Sequence, residues 1–214
     1  MQILDVFLPR VLTSVIGCPD GLARQAVVDA AIEFCEETGI VRMMADTANT
    51  VPGVGTYDVY VPSGQRVALT QRTWYGTKEL KPASSQQIDN VLAYAPGVDD
   101  ATKSAGEPTS FYEIAPGEVA VFPIPLEIKP LTFRVVTKPA RAATQLEDVL
   151  FEDWVDAVVA GALARIQIIP DQPFSSPPLA QMNQAKFESM KGRARAEALR
   201  GRIRGSIFVA PRRF

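Results

Sequence analysis

The longest regular spacing of apolar positions lies in the last third of the chain. Across residues 146–170, Leu150, Trp154, Val158, Ala162, Ile166 and Ile169 recur at three- and four-residue steps, which puts them on one face of an α-helix. Glu147, Asp148, Glu152 and Asp153 cluster at its start, where the positive end of the helix dipole favours acids. Pro170 and Pro173 end it. A second helical run follows, with Leu179, Met182, Phe187, Met190 and Ala194 on its apolar side. Nearer the N-terminus, residues 7–17 hold one or two helical turns, with Pro9 in a first turn. Pro19 and Asp20 then open a long helix. Its stripe is Ala23, Ala26, Val27, Ala30 and Phe34, with Gly39 placed to cap it. The small alanines allow close helix–helix approach.

Between these helices the pattern changes. Residues 40–138 read as short strands separated by turns. Tyr57, Val59 and Val61 alternate with polar positions, and residues 62–64 form a turn. Residues 67–75, 111–114, 118–122 and 131–138 are further strands. Residues 84–92 suit a short helix capped by Ser84 or Ser85. Residues 95–108 are polar and rich in Gly and Pro, as an exposed loop is. The expected fold class is therefore α+β: a long-helix bundle with an inserted antiparallel β-rich lobe and an extended C-terminal tail. The bundle takes residues 1–39 and 139–204, the lobe 40–138 and the tail 205–214. Ala26, Ala30, Phe34, Trp154, Val158, Ala162 and Phe187 are the positions expected to pack the helices.

Composition narrows the chemistry. The chain has 214 residues, enough for one large domain or a body with a lobe, and an ordinary apolar fraction of 47%. No run approaches the roughly eighteen apolar residues that span a bilayer, and the N-terminus lacks a basic segment followed by an apolar one. No membrane partner is expected, and synthesis in the cytoplasm is. There are no histidines, which removes histidine-assisted nucleophiles and histidine-bound metals. Cys18 and Cys35 are isolated and read as buried thiols.

Charge is unevenly placed. From Lys191 onward there are eight basic residues (Lys191, Arg193, Arg195, Arg200, Arg202, Arg204, Arg212, Arg213) against one acid, Glu197. That segment carries +7 and the rest −9, to give the overall −2. Two readings of the basic end stand side by side: a solvated helix terminus and a phosphate-binding element. Other clusters carry less. Asp99 and Asp100 lack a third ligand and read as a solvated loop; Glu33, Glu36 and Glu37 read as an exposed acidic face; residues 52–57 hold two glycines but no phosphate-loop lysine. Trp154 reads as core, Trp74 as core or interface. No catalytic residue, cofactor or metal is expected.

Three passages carry a resemblance. They are LARQAVVDAAIEFCEETG (22–39), PTSFYEIAPGEVAVFPIPLEIKPLTFRVVTKPAR (108–141), and the 146–170 block with its GALAR run followed by Ala180 and Phe187. In order and spacing, over about residues 5–200, the chain resembles the head-to-tail adaptors of tailed bacteriophages, the tail tubular protein A family. The resemblance implies a virion structural protein of the tail or neck. It implies a homo-oligomeric ring, usually of twelve copies, between the portal protein and the next tail component, a nozzle or tail tube protein. Genomic DNA would pass through the lumen without sequence-specific binding. Under this reading the helix-packing positions serve a ring or a core. Arg202, Arg204, Ile207, Phe208, Val209, Arg212, Arg213 and Phe214 would dock with the portal, apolar anchors alternating with arginines that pair with carboxylates. The alternative is a nucleic-acid-binding module that uses the basic C-terminal tail.

Overall fold

The computed structural model describes residues 1–88 and 105–200. It is a mixed α+β structure whose sheets are antiparallel apart from one two-residue parallel pairing. The chain divides into two compact units, Met1–Ile40 together with the chain from Thr144, and Val41–Ala143.

The first unit is mainly helical. Strand β1 (Gln2–Ile3) leads through a 3-10 turn (Leu4–Val6) into α1 (Leu8–Leu12), with Pro9 in its first turn. Helix α2 (Asp20–Thr38) follows Pro19 and ends at Gly39, whose φ of 59° is the left-handed conformation that glycine adopts without a Cβ clash. The Gly39 N–H donates to the Cys35 carbonyl at 3.0 Å, and the Thr38 hydroxyl donates to the Phe34 carbonyl at 2.6 Å. The first serves a carbonyl that the helix end would otherwise leave open.

The single helix expected over 146–170 is two. Helix α3 (Asp148–Glu152) stops, and α4 (Val155–Gln167) starts after Trp154, whose φ of −128° and ψ of 18° leave the helical region. Leaving the spiral lets the indole pack on Phe34, with ring centroids 5.5 Å apart. Helix α5 (Pro177–Arg200) is long, but its buried line is Ala180, Phe187, Lys191, Ala194 and Ala198. Leu179 and Met182, read from sequence as apolar-side residues, are exposed. The close approach of α5 to α2 and α4 favours alanines over bulky side chains on the inner line. Gly161 marks the tightest point: a Cβ there would lie 3.0 Å from both Ala30 Cβ and Phe187 Cε2.

The second unit is built from two sheets. In one, the order is β2 (Arg42–Met44), β10 (Pro130–Pro139), β5 (Gln65–Tyr75), β6 (Lys78–Glu79), with β3 (Ala48–Asn49) also on β10. In the other it is β4 (Thr56–Asp58), β9 (Glu118–Phe122), β8 (Ser110–Ala115), β7 (Lys81–Pro82). Their inner faces share a core that includes Tyr57, Val67, Phe111, Val121, Leu131 and Phe133. Strict alternation fails along β5, where Val67 and Thr70 are buried and Leu69 is exposed. Two register irregularities against β10, between Arg134 and Val135 and between Val136 and Thr137, shift the phase. Glu113 of β8 ties the sheets: its carboxylate accepts from the Thr70 N–H, the Thr70 hydroxyl and the Gly117 N–H, each at 3.3 Å. Helical residues 85–88 begin with a reciprocal cap between Ser84 and Gln87. Strand β11 (Gln145–Leu146) returns to the first unit and pairs with β1.

Candidate functional site

Helix α2 places Glu33 and Glu37 one turn apart on the same side. Helix α5 places Glu188, Lys191 and Arg195 at steps of three and four, and α4 contributes Arg165. Where the three helices meet, these side chains form one cluster of three carboxylates and three cations. The Lys191 side chain is only 2% exposed, and its Nζ lies 2.7 Å from Glu33 Oε1, 3.2 Å from Glu37 Oε1 and 2.7 Å from Glu188 Oε1. Arg165 pairs with Glu33 and donates to the Gly161 carbonyl at 2.7 Å. Arg195 pairs with Glu37 and donates to its carbonyl at 2.8 Å. Below the cluster lies Phe187, its ring centroid 4.8 Å from Lys191 Nζ and 5.6 Å from the Arg165 guanidinium carbon. Both distances suit cation–π attraction.

The electrostatics follow from this geometry. Burial of the ammonium opposes its charge, but the bonds to Glu188, Glu33 and Glu37 outweigh that, and Lys191 is held above the ordinary lysine value. Its bond to Lys191 in turn holds Glu188 below the ordinary carboxylate value. The carboxylates are each bound to a cation, so the arrangement suits fixed positioning of α5 rather than proton transfer. Among the described residues no group of His, Cys, Asp or Glu could hold a metal ion.

This finding revises two sequence expectations. Glu33 and Glu37, read as part of an exposed acidic face, are partners of buried or half-exposed cations. Lys191 and Arg195, counted with the basic end, are engaged by those same acids. The signal was present: Lys191 falls in phase with Phe187, Ala194 and Ala198, so an inward cation required inward acids across from it. Cys18 and Cys35 are free and buried, and burial raises both thiols above their usual range.

Ala26, Ala30, Phe34, Trp154, Val158, Ala162 and Phe187 are all buried inside the helical unit. Phe34 contacts Trp154 and also Phe187, whose ring centroid is 6.2 Å away. Arg202, Arg204, Ile207, Phe208, Val209, Arg212, Arg213 and Phe214 lie outside the described residues, as do Asp99 and Asp100. Trp74 is half-buried in β5.

The β unit presents a different surface at one end. Segments 50–55 and 124–129 are joined by bonds from the Thr50 N–H to the Lys129 carbonyl (2.9 Å) and from the Gly53 N–H to the Pro125 carbonyl (3.0 Å). The Tyr57 hydroxyl donates to the Val54 carbonyl at 2.6 Å and accepts from the Val51 N–H at 3.1 Å. On this braced end Val51, Val54, Leu126 and Ile128 are exposed. Beside them is a cleft of about 230 Å³ lined by Tyr75, Gly106, Glu107, Leu126, Glu127 and Lys129. From sequence, residues 52–57 are only a glycine-containing stretch without a phosphate-loop lysine, because exposure of isolated apolar residues is common and leaves no periodic mark.

Among the described residues no helix is long and apolar enough to cross a membrane. A family model described as SU10 adaptor protein matches residues 7–208, a span that takes in both units. No curated protein matches the chain.

Proposed function

The chain belongs to the SU10 adaptor protein family, a phage head-to-tail adaptor family and not an enzyme family, and from this premise we propose that it is a ring-forming connector subunit between portal and tail. The ring has twelve copies. The helical unit forms its wall, and the C-terminal residues from Arg202 to Phe214 dock with the portal. The braced loop end of the β unit meets the next tail component, and DNA passes through the lumen without sequence-specific contacts. An acidic balance outside the C-terminal segment suits a wall along which DNA slides.

The observation that carries this reading is the family match over residues 7–208. Co-sedimentation with the portal ring of the same phage tests it, comparing the full-length chain with a truncation ending at Arg204. Saturable binding by the full chain, lost on truncation, is the expected result. Binding by neither form contradicts the reading. The alternative, a nucleic-acid-binding module anchored by the basic end, requires salt-dependent DNA binding that disappears without residues 191–214. It is weakened because Lys191 and Arg195 already have carboxylate partners.

A further inference from the structure

Helix α5 turns its buried line inward, and at 3.6 residues per turn the opposite side holds Met182, Ala185, Ser189, Gly192 and Ala196, with Leu199 close by. All six are exposed, Met182 by 60% and Leu199 by 86%. A Cβ added at Gly192 would meet nothing within 4 Å. A helix back that faced only water would carry its charges there. Here the centre is uncharged from Met182 to Ala196, and exposed Lys186 and Arg193 run along one flank beside the half-buried Glu197, with exposed Arg200 in line with Met182 at the end of the helix.

The same unit carries the opposite charge elsewhere. Asp148, Glu152, Asp153 and Asp156 are exposed on α3, the link after it and the first turn of α4, where the four acids outnumber two cations, the Met1 ammonium 2.9 Å from Asp148 and Arg10 3.8 Å from Asp156. We infer that the outer face of α5 docks against this acidic surface of a second copy of the chain. Charge complementarity selects the occupant. An antiparallel self-facing pair would set basic flank against basic flank, whereas a head-to-tail pair sets basic flank against acidic surface. A head-to-tail contact repeats from copy to copy and closes into a ring when the rotation allows. The small residues between Met182 and Leu199 let a neighbouring backbone approach closely. This inference rests on the ring reading above and names the surfaces that would build it.

A charge exchange tests it. One variant carries Lys186→Glu and Arg193→Glu, the other Glu152→Lys and Asp156→Lys, and thermal unfolding checks that each folds. Sedimentation velocity is run on the wild type, on each variant and on their equimolar mixture, alone and with the portal ring. Each variant alone should self-associate about tenfold or more weakly than the wild type, and the mixture should recover, because every contact then pairs unlike charges. Variants that associate as the wild type does overturn the inference, as does a mixture without recovery. A wild type that binds the portal while the substitutions change nothing leaves the connector reading standing and removes this interface. Charge-dependent self-association without portal binding does the reverse. A wild type that neither self-associates nor forms multimers on the portal overturns the inference outright.

Discussion

Replacing Lys191 with methionine removes the ammonium from the centre of the α2–α4–α5 cluster and keeps most of its aliphatic stem. Two carboxylates at 2.7 Å and one at 3.2 Å lose their shared partner. Bonds to charged groups are worth about 1.5–3 kcal/mol each when buried. Here Glu33, Glu37 and Glu188 are 33%, 38% and 51% exposed, so they rehydrate and the loss falls toward the surface value. The cation over Phe187 contributes roughly 0.5–1 kcal/mol more. Against these losses, methionine avoids the cost of burying a charge. The balance is a destabilisation of about 2 kcal/mol, which lowers a urea midpoint by about 1 M at ordinary denaturant sensitivity. Trp154 packs on Phe34 within the same unit, so its fluorescence in a Trp74→Phe background reports on that unit alone. A double-mutant cycle with Glu33→Gln should give a coupling of about 1 kcal/mol. An unchanged or higher midpoint for Lys191→Met would refute the reasoning, since burial of the ammonium would then cost as much as its contacts return.

The same cluster sets a pH dependence. Glu188 is held below 4.5, so its contribution is present above that value and is lost as pH falls through its lower folded value. Lys191 is held above 10.5, so its contribution is complete below that value and is lost as pH rises through its higher folded value. The stability difference between wild type and Lys191→Met should be flat between those limits and shrink beyond both, as urea titrations at stepped pH will read. At Gly161, alanine gains about 1 kcal/mol of helix propensity but meets Ala30 and Phe187 at 3.0 Å, an overpacking cost of about 1–3 kcal/mol. Gly161→Ala should be neutral to destabilising and Gly161→Val worse, by thermal unfolding; a stabilised Gly161→Ala would mean that the helices have slack there. Tyr57→Phe removes the hydroxyl that braces residues 51 and 54. Amide exchange at Val51 should accelerate, by hydrogen-exchange mass spectrometry, with a stability loss of about 1 kcal/mol; unchanged exchange would show that the brace is dispensable.

Much of the secondary structure was legible because it rests on local rules. Pro19, Asp20 and Gly39 bracket α2 by capping chemistry, and β9 and β10 follow from runs of β-branched and apolar residues. What escaped depends on partners distant in sequence. The break at Trp154 comes from the indole's contact with Phe34, far upstream. The outward turn of Leu179 and Met182 reflects how closely α5 approaches its neighbours, which periodicity does not encode. Leu69 is exposed because bulges move the phase of β5 relative to β10. The charge cluster needed Glu33 and Lys191 to be known as neighbours across 158 residues. The adaptor resemblance, by contrast, was carried by the order of loose patterns along the chain, and the family match bears it out at that level.

Cross-linking mass spectrometry of purified virions tests the connector role most directly. Cross-links are expected from the C-terminal segment of this chain to the portal protein and from segments 50–55 and 124–129 to a tail component. Absence of the chain from particles, or its presence with cross-links to neither neighbour, would contradict it.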